Sequence, residues 1–357
     1  MKIIHTADLH LDSKIEGLPA DKSKQRREEV LRSFEKLADF ASANSVRAVI
    51  IAGDMFDTSR VELKVRERVL HAIKKNSQVD FIYLPGNHDE VNFIFEQEDL
   101  PVNLKTIGDK WTMFDYGNVA IAGIVLSPLN SRTAFDTLSL DADRINVVTL
   151  HGQVVGFKSE EKAEIISIPR LKGKNVDYLA LGHIHSYSVG EIDNRGIYCY
   201  SGCLDGRGFD ELKEKGFSLI EIEDKKLTHK FVQFSSRVID EYEYNVDDSI
   251  SFYQSAENLF NELKAKFSSS SLIKVVLKGE HGADFIVDKE ALNQKLNEYF
   301  FFAKVYDKTQ LKVNVIDYES DKSVKGEFVR AVWESDLSSE QKNKIIACGL
   351  SALKGEI

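Results

Sequence analysis

The sequence predicts an α/β protein with a small second domain and a helical tail. Apolar strand-like runs alternate with helical stripes in the first half of the chain, and the pattern changes after Ser235. The length of 357 residues also exceeds what a single core of ordinary size holds. We expect a mixed α/β domain over residues 1–235, a small α+β domain over 236–318 and a helical pair over 319–357.

The first part of the large domain alternates strand and helix. The expected elements, in chain order, are a strand over 2–8, a helical stripe of Val30, Phe34, Leu37 and Ala41, a strand over 47–54, a helical stripe of Val61, Val65, Val69 and Ile73, and a strand over 79–86. This alternation predicts a parallel sheet with helices packed on it.

Shorter β segments dominate the rest of the large domain. They are expected over 111–126, 145–152, 176–183, 196–202, 216–223 and 228–234. The alternative that this region consists of two merged smaller domains stays open, because periodicity alone does not separate the two arrangements.

The pattern beyond residue 235 predicts an α+β domain and then two helices. Its expected elements are strands over 239–246, 272–279 and 309–316 and helices over about 249–267 and 289–298. In the tail, Ser338 followed three residues later by Gln341 predicts a capping box at the start of the last helix.

The composition is that of a soluble globular protein, with 43% apolar and 29% charged residues and no apolar run long enough to cross a bilayer. The start has no signal-peptide pattern, and the three cysteines form no CxxC pair, so we expect a reducing, cytoplasmic location. The net charge of −10 argues against a protein whose entire surface binds nucleic acid by neutralising phosphates. Nucleic acid remains possible as a substrate, because bound cations supply local positive charge.

Five short motifs place polar side chains where predicted strands end. They contribute Asp8 and His10 from "ADLH", Asp54 and Asp57 from "AGDMFD", Asn87 and His88 from "GNHD", His151 from "VTLHG", and His183 and His185 from "LGHIH". The two pairs at spacing i, i+2 are expected on extended backbone, which aims both members to one side. Because carboxyl ends of parallel strands meet at one rim, these side chains should converge there.

Such a set of imidazole, carboxylate and amide groups can hold two divalent cations. Imidazole nitrogen combined with carboxylate oxygen suits Mn²⁺, Fe²⁺ or Zn²⁺, and the lack of thiolate ligands argues against a closed structural zinc site. Two cations held ~3.5–4 Å apart form a clamp for in-line displacement at phosphorus.

Each motif alone also has a structural explanation. Asp57 would serve equally well as the cap of the following helix, and Asn87 as a turn former. His10 and His151 say little alone, and the histidines outside the motifs are expected to be structural; these are His5, His71, His229 and His281. The order and spacing of all five motifs together favour the metal centre.

In that order, the motifs DxH, GDxxD, GNHD, a lone His and GHxH resemble those of the calcineurin-like metallophosphoesterases. "HTADLHLDS", "IAGDMFDTS" and "YLPGNHDE" look more narrowly like the SbcD-type DNA repair exonucleases, and "YSGCLDGRGFDELKEKGFSLIEI" like the YhaO-like branch. The resemblance covers residues 1–235 most clearly. It implies a mixed β sandwich flanked by helices.

The resemblance also implies roles for the motif residues. Asp8, His10 and His185 would hold one metal, Asn87, His151 and His183 the other, with Asp54 bridging. Hydroxide would attack the phosphodiester while His88 assists the leaving oxygen, and Asp57 would orient His88 or bind the substrate side of the metal cluster. Asp89 is expected behind the ligands.

The leading hypothesis is therefore a DNA exonuclease or endonuclease with two divalent ions, Mn²⁺ expected and Fe²⁺ or Zn²⁺ as alternatives. Family analogy implies a homodimer, a capping role for 236–318 and an SbcC-like coiled-coil ATPase that docks on the tail. A hydrolase of small phosphoesters and a non-catalytic scaffold are the competing hypotheses. Arg207, in a segment that departs from the better-known nucleases, would meet a phosphate or the edge of the site, or form an exposed turn.

Overall fold

A computed structural model describes residues 1–57, 61–86, 100–155, 165–282, 285–312 and 315–354. The chain divides into two compact units, Met1–Val238 and Ile239–Ile357. Within the described part of the chain, no helix is both long enough and apolar enough to span a bilayer.

The first unit is built mainly from strands. These are β1 (Lys2–Thr6), β2 (Ala48–Ala52), β3 (Asp80–Leu84), β4 (Leu104–Thr106), β5 (Thr112–Asp115), β6 (Val119–Gly123), β7 (Ile145–His151), β8 (Gln153–Val155), β9 (Ile165–Ser167), β10 (Tyr178–Gly182), β11 (Ser188–Glu191), β12 (Ile197–Tyr200), β13 (Gly216–Glu223) and β14 (Lys226–Gln233). Its described helices are α1 (Ala20–Ala43), α2 (Leu63–Lys75), α3 (Ala134–Thr137) and α4 (Ile168–Leu171).

Two six-stranded sheets form the body of this unit. The first has the order β14-β13-β1-β2-β3-β4, and its strands β1 to β4 are parallel, as the sequence predicts. The second has the order β11-β12-β10-β7-β6-β5, with parallel central strands and antiparallel strands at both edges. Both sheets are therefore mixed, and the expected mixed β sandwich flanked by helices is confirmed.

The central strands are buried on both faces, which explains their continuous apolar runs. Alternate residues such as Ile50 of β2 point into the space between the sheets, where they join Val147 of β7. The intervening residues, such as Val49 and Ile51, pack on the outer side against Phe34 of α1. Burial of one such side chain contributes about 1.5–3 kcal/mol, so the two apolar layers fix the sandwich.

The helical stripes of the sequence are confirmed with one correction. Helix α1 buries Val30, Phe34, Leu37 and Ala41, which recur at its period. Val61 was expected on the second stripe, but α2 begins only at Leu63. Val61 is still buried in the same apolar layer, because the chain that enters the helix also packs against the sheet.

His5 lies between the two sheets and has a structural role. Its Nε2 donates to the Leu181 carbonyl (3.2 Å), so its Nδ1 accepts from the Tyr178 hydroxyl (3.0 Å). Burial lowers the pKa of His5 to about 3, which keeps the ring neutral at ordinary pH.

The second unit contains β15 (Ile239–Asn245), α5 (Phe252–Lys266), β16 (Leu272–Lys278), β17 (Glu280–His281), α6 (Lys289–Tyr299), β18 (Phe302–Asp307), β19 (Gln310–Leu311), a 3₁₀ turn (Val315–Tyr318), α7 (Val324–Trp333) and α8 (Ser339–Lys354). Strands β15, β16 and β18 form a parallel sheet in that order. The expected mixture of strands and helices, followed by two helices, is present, but parallel strands connected through helices make this an α/β arrangement and not the α+β one expected. The separation of this unit into a cap and a docking tail stays a prediction.

The strand expected over 309–316 is not the third strand of the sheet. That strand is β18, over Phe302–Asp307, and among the described residues of the expected range only Gln310 and Leu311 form a short bridge with β17. Strand β18 takes this place in the sheet because its alternate residues Ala303 and Val305 are buried beside Ile273 and Val275 of β16.

The capping box at the last helix is confirmed. The Gln341 backbone N–H donates to Ser338 Oγ (3.3 Å), and the Ser338 backbone N–H donates to Gln341 Oε1 (3.0 Å). Helix α8 then packs Ile346 and Leu350 against Val329 of α7.

Candidate metal centre

The carboxyl ends of central strands from both sheets meet at one rim of the first unit. Strand β1 leads to Asp8 and His10, β2 to Asp54, and β10 to His183, while β7 ends at His151. The loops are tied together, because the His10 backbone N–H donates to the Asp54 carbonyl (2.9 Å). The structure thus brings motif residues from four strands to one place.

The local backbone at the first motif differs from the expectation. Asp8 and His10 were expected on extended chain, but β1 ends at Thr6 and their φ angles are +49° and +44°. His183 likewise has a φ of +98°. Left-handed backbone in residues other than glycine costs free energy and concentrates at functional sites, and here it turns the chain sharply at the rim.

Asp8 is the most telling single residue of the site. It is buried, and its Oδ1 accepts a hydrogen bond from the His183 backbone N–H (2.8 Å). Its Oδ2 is also buried and accepts no hydrogen bond from the residues that the structure describes. Burial raises the pKa of Asp8, while the neighbouring His151 and His185 oppose that shift. A buried carboxylate oxygen without a donor is suited to a cation.

His10 and His185 face each other through their Nε2 atoms, which are 3.2 Å apart. His10 donates from Nδ1 to Asp57 Oδ1 (2.9 Å), and His185 donates from Nδ1 to Glu211 Oε1 (2.7 Å). With both protons on Nδ1, the two Nε2 lone pairs point toward the same space. Two such lone pairs repel each other, and a shared cation relieves this repulsion.

Asp54 lies between two histidines. Its Oδ2 is 3.7 Å from His10 Nε2 and 3.4 Å from His151 Nε2. His151 donates from Nδ1 to the Ala52 carbonyl (3.0 Å), which leaves its Nε2 lone pair directed at the carboxylate. One carboxylate therefore contacts imidazoles from both sheets.

Two glycines make room for these side chains. A Cβ at Gly53, where φ is +94°, would lie 2.0 Å from His151 Nδ1. A Cβ at Gly86 would lie 2.1 Å from Asp54 Oδ1. Both distances are impossible for real atoms, so only glycine permits the backbone to approach the ligand side chains this closely.

Two groups of potential ligands result among the described residues. They are Asp8, His10 and His185, and Asp8, Asp54 and His151, and in each group the ligand atoms lie within 4.8 Å of one another. Both groups contain Asp8. Their oxygen and nitrogen donors, together with the unpaired Asp8 Oδ2, fit a pair of divalent cations.

Four of the remaining predicted residues are either near the ligand groups but not part of them, or outside the described part of the chain. His183 lies beside His151, with ring centroids 5.4 Å apart, but it belongs to neither of the two ligand groups found among the described residues. Asn87, His88 and Asp89 lie outside the described residues.

Asp57 does not cap the following helix, and its expected role toward His88 lies outside the described residues. As a helix cap it would have preceded α2 directly, but the N-cap of that helix is Glu62. Its carboxylate accepts from His10 Nδ1 and from Arg207 Nη1 (3.3 Å). Arg207 thus lies at the edge of the site and is only partly exposed, so the exposed-turn alternative is wrong.

Glu211 and Lys215 are the residues that sequence reasoning missed. Glu211 lies 26 positions beyond His185 in the chain, outside the five motifs although within the segment that resembles the YhaO-like branch. Lys215 Nζ donates to the His185 carbonyl (2.6 Å). The one available signal was the unusual density of charged residues between Asp205 and Lys215.

The comparisons with known proteins agree with this geometry. A family model described as calcineurin-like phosphoesterase matches residues 1–187. The chain is 24% identical over 297 residues to the uncharacterized metallophosphoesterase YhaO of Bacillus subtilis, an alignment that covers 78% of this chain and 72% of that protein.

Two further relatives carry the names of nucleases or repair proteins. The chain is 24% identical over 383 residues to the SbcD component of the nuclease SbcCD from Staphylococcus saprophyticus, with 97% of this chain and 96% of that protein covered. It is 23% identical over 309 residues to the DNA double-strand break repair protein Mre11 of Aeropyrum pernix, with 78% and 73% covered. Since the matched family model spans more than half of the 357 residues, this chain belongs to the calcineurin-like phosphoesterase family of metal-dependent hydrolases.

Proposed function

We propose that this protein is a DNA nuclease that uses two divalent cations, with Mn²⁺ as the working ion. The observation that carries the proposal is the pair of ligand groups that share Asp8, with Asp54 placed between His10 and His151. Two cations bound by such groups are close enough to act on a single phosphate.

The proposed ligand sets combine the contacts of the described residues with the ligands that the sequence motifs predict. Asp8, His10 and His185 would hold one cation. Asp54 and His151 would hold the other, together with the sequence-predicted ligands His183 and Asn87, and Asp54 would bridge the two.

Bound cations supply Lewis acidity at the phosphate and lower the pKa of water to near neutrality. The protein's own groups orient the ligands, since Asp57 fixes the tautomer of His10 and Glu211 that of His185. His88, which lies outside the described residues, is proposed from the sequence motif to protonate the leaving oxygen.

DNA is the proposed substrate because relatives that match most of this chain are named as part of a nuclease and as a double-strand break repair protein. Two cations would offset Asp8 and Asp54 and leave the rim positive toward phosphate, although the chain carries a net charge of −10. On the same analogy we propose a homodimer, a capping role for 236–318, and an SbcC-like ATPase bound to the tail.

The decisive assay follows cleavage of end-labelled duplex and single-stranded DNA by protein stripped with EDTA and resupplied with Mn²⁺. We expect cleavage at least about 100-fold faster with Mn²⁺ than with EDTA. His151→Ala should abolish it. His71→Ala, which alters an exposed histidine on α2, is the matched control and should retain the wild-type rate.

A second candidate function is hydrolysis of nucleotides or other small phosphoesters. The excess of acidic residues favours it, because a small substrate needs no extended basic surface. Cyclic nucleotides and dinucleotides, tested beside DNA, separate the two functions. Activity confined to the small substrates would remove the nuclease proposal and leave the metal centre intact.

A further inference from the structure

Glu211 is a buried carboxylate that contacts the candidate metal centre from outside the motifs. It is 4% exposed, and its Oε1 accepts the hydrogen bond from His185 Nδ1 at 2.7 Å. The ring atom opposite that bond, Nε2, is the one that faces His10. A change at Glu211 would therefore reach the centre through the orientation of one imidazole.

The carboxylate is itself held in place by several donors. Arg207 donates to Oε1 from Nε (2.9 Å) and Nη2 (2.7 Å), and its backbone N–H donates to Oε2 (2.7 Å). Together with His185 these bonds occupy both oxygens of Glu211. A carboxylate bound by a planar guanidinium in this way has little freedom to rotate.

Arg207 connects two carboxylates that lie behind two imidazoles. Its Nη1 donates to Asp57 Oδ1 (3.3 Å), and the same oxygen accepts from His10 Nδ1. The two histidines of one ligand group are thus each hydrogen-bonded to a carboxylate, and one guanidinium joins those carboxylates. Such an arrangement fixes the distance between the imidazoles as well as their tautomers.

The backbone of His185 is fixed by the same segment of chain. Lys215 Nζ donates to its carbonyl at 2.6 Å, and the Cys203 backbone N–H approaches it at 3.4 Å. The segment 203–215 therefore contacts the residue at both its ring and its carbonyl group.

We propose that Glu211 is a positioning residue that sets the tautomer and orientation of His185 for cation binding, and that Arg207 fixes the orientation of the Glu211 carboxylate. The inference rests on the proposed metal centre and deepens it. It differs from a purely structural ion pair, because it requires the cation affinity and the His185 tautomer to depend on Glu211.

The test compares Glu211→Gln with Asp177→Asn. Asp177 is a close match, since it accepts from Arg195 Nε (3.1 Å), Arg195 Nη2 (3.0 Å) and a backbone N–H (2.8 Å). It directly precedes β10, whereas His183 and His185 follow the other end of that strand. The control thus loses a similar ion pair away from the rim.

Mn²⁺ affinity is measured by the loss of the free-ion electron paramagnetic resonance signal during titration. We expect Glu211→Gln to weaken binding of at least one of the two ions by about 10–100-fold, and Asp177→Asn to leave both unchanged. Nitrogen NMR of the imidazole rings in metal-free protein should show His185 protonated on Nδ1 in the wild type and mixed tautomers in Glu211→Gln.

Unchanged affinity and tautomer in a folded Glu211→Gln protein would overturn the inference. If that variant does not fold, Glu211→Asp decides, because it keeps the charge but withdraws the carboxylate from His185, and it should weaken Mn²⁺ binding by a smaller factor. Wild-type affinity in this variant would equally overturn it. Wild-type protein that binds two ions without cleaving DNA would remove the nuclease proposal and leave this inference standing.

Discussion

Asp8→Asn is expected to abolish binding of the cation that Asp8 shares with His10 and His185, to weaken binding of the other, and to reduce phosphodiester cleavage by more than about 10³-fold. Asp8 belongs to both ligand groups, and its buried Oδ2 is the ligand atom without a hydrogen-bond donor among the described residues. The asparagine side chain offers a cation only a neutral oxygen, and its NH₂ group would point a hydrogen-bond donor into the site. Because Asp8 belongs to both groups and its free oxygen has no substitute donor in the described part of the chain, this substitution should have the largest effect on activity.

The same substitution should not destabilise the metal-free protein. Burial penalises the charge of Asp8, which is why its pKa is raised, and asparagine removes that charge at nearly constant volume. We therefore expect an unfolding temperature equal to or above that of the metal-free wild type. Metal content by mass spectrometry, cleavage rate and unfolding temperature are measured together.

Asp80→Asn provides the control for Asp8→Asn. Asp80 is also buried, at the start of β3, where it accepts hydrogen bonds from Tyr116 and Lys105. This variant should keep both cations and most of the activity. Retention of two ions and near-normal cleavage by Asp8→Asn would contradict its place in the centre.

Arg26→Met is expected to cause the largest loss of stability, about 3–5 kcal/mol in the free energy of unfolding. Arg26 lies on the buried face of α1 and is fully inaccessible to solvent. Its guanidinium donates to the Asp205 carboxylate, to the Gly206 carbonyl and to Ser236 Oγ. The substitution leaves the buried Asp205 carboxylate without the positive charge of Arg26. The free-energy cost of that unpaired charge exceeds the net stabilisation that the ion pair contributes.

Thermal unfolding of Arg26→Met checks this expectation. A loss of that size in a unit of 238 residues corresponds to a fall of roughly 6–20 °C in the unfolding temperature. Arg32→Met on the same helix is the control, because Arg32 is mostly exposed and pairs only at the surface with Glu28. Its cost should stay below about 1 kcal/mol. Equal effects of the two substitutions would show that the buried network does not stabilise the fold.

The convergence of the described motif residues could be predicted because each lies at or shortly after the end of a strand. An apolar run indicates where a parallel strand ends. Because the carboxyl ends of neighbouring parallel strands lie at the same edge of a sheet, Asp8, Asp54 and His183 are then expected close together. The side-chain identities carry the chemistry, so the sequence contains both the position and the type of each group.

The residues behind the ligands could not be predicted in this way. Glu211 reaches His185 through a loop of irregular structure, and Arg207 meets Asp57 across 150 positions of sequence. Such contacts depend on the tertiary path of the chain, which no local periodicity encodes. The misplaced strand in the second unit has a similar cause, since the pairing of Ala303 and Val305 with β16 is a tertiary contact that the sequence pattern did not indicate.

Anomalous diffraction from crystals loaded with Mn²⁺ tests the central claim most directly. We expect two peaks roughly 3.5–4 Å apart, with Asp8, His10 and His185 around one, His151 beside the other and Asp54 between them. A single peak, or peaks remote from these side chains, would contradict the two-cation centre on which the proposed function depends.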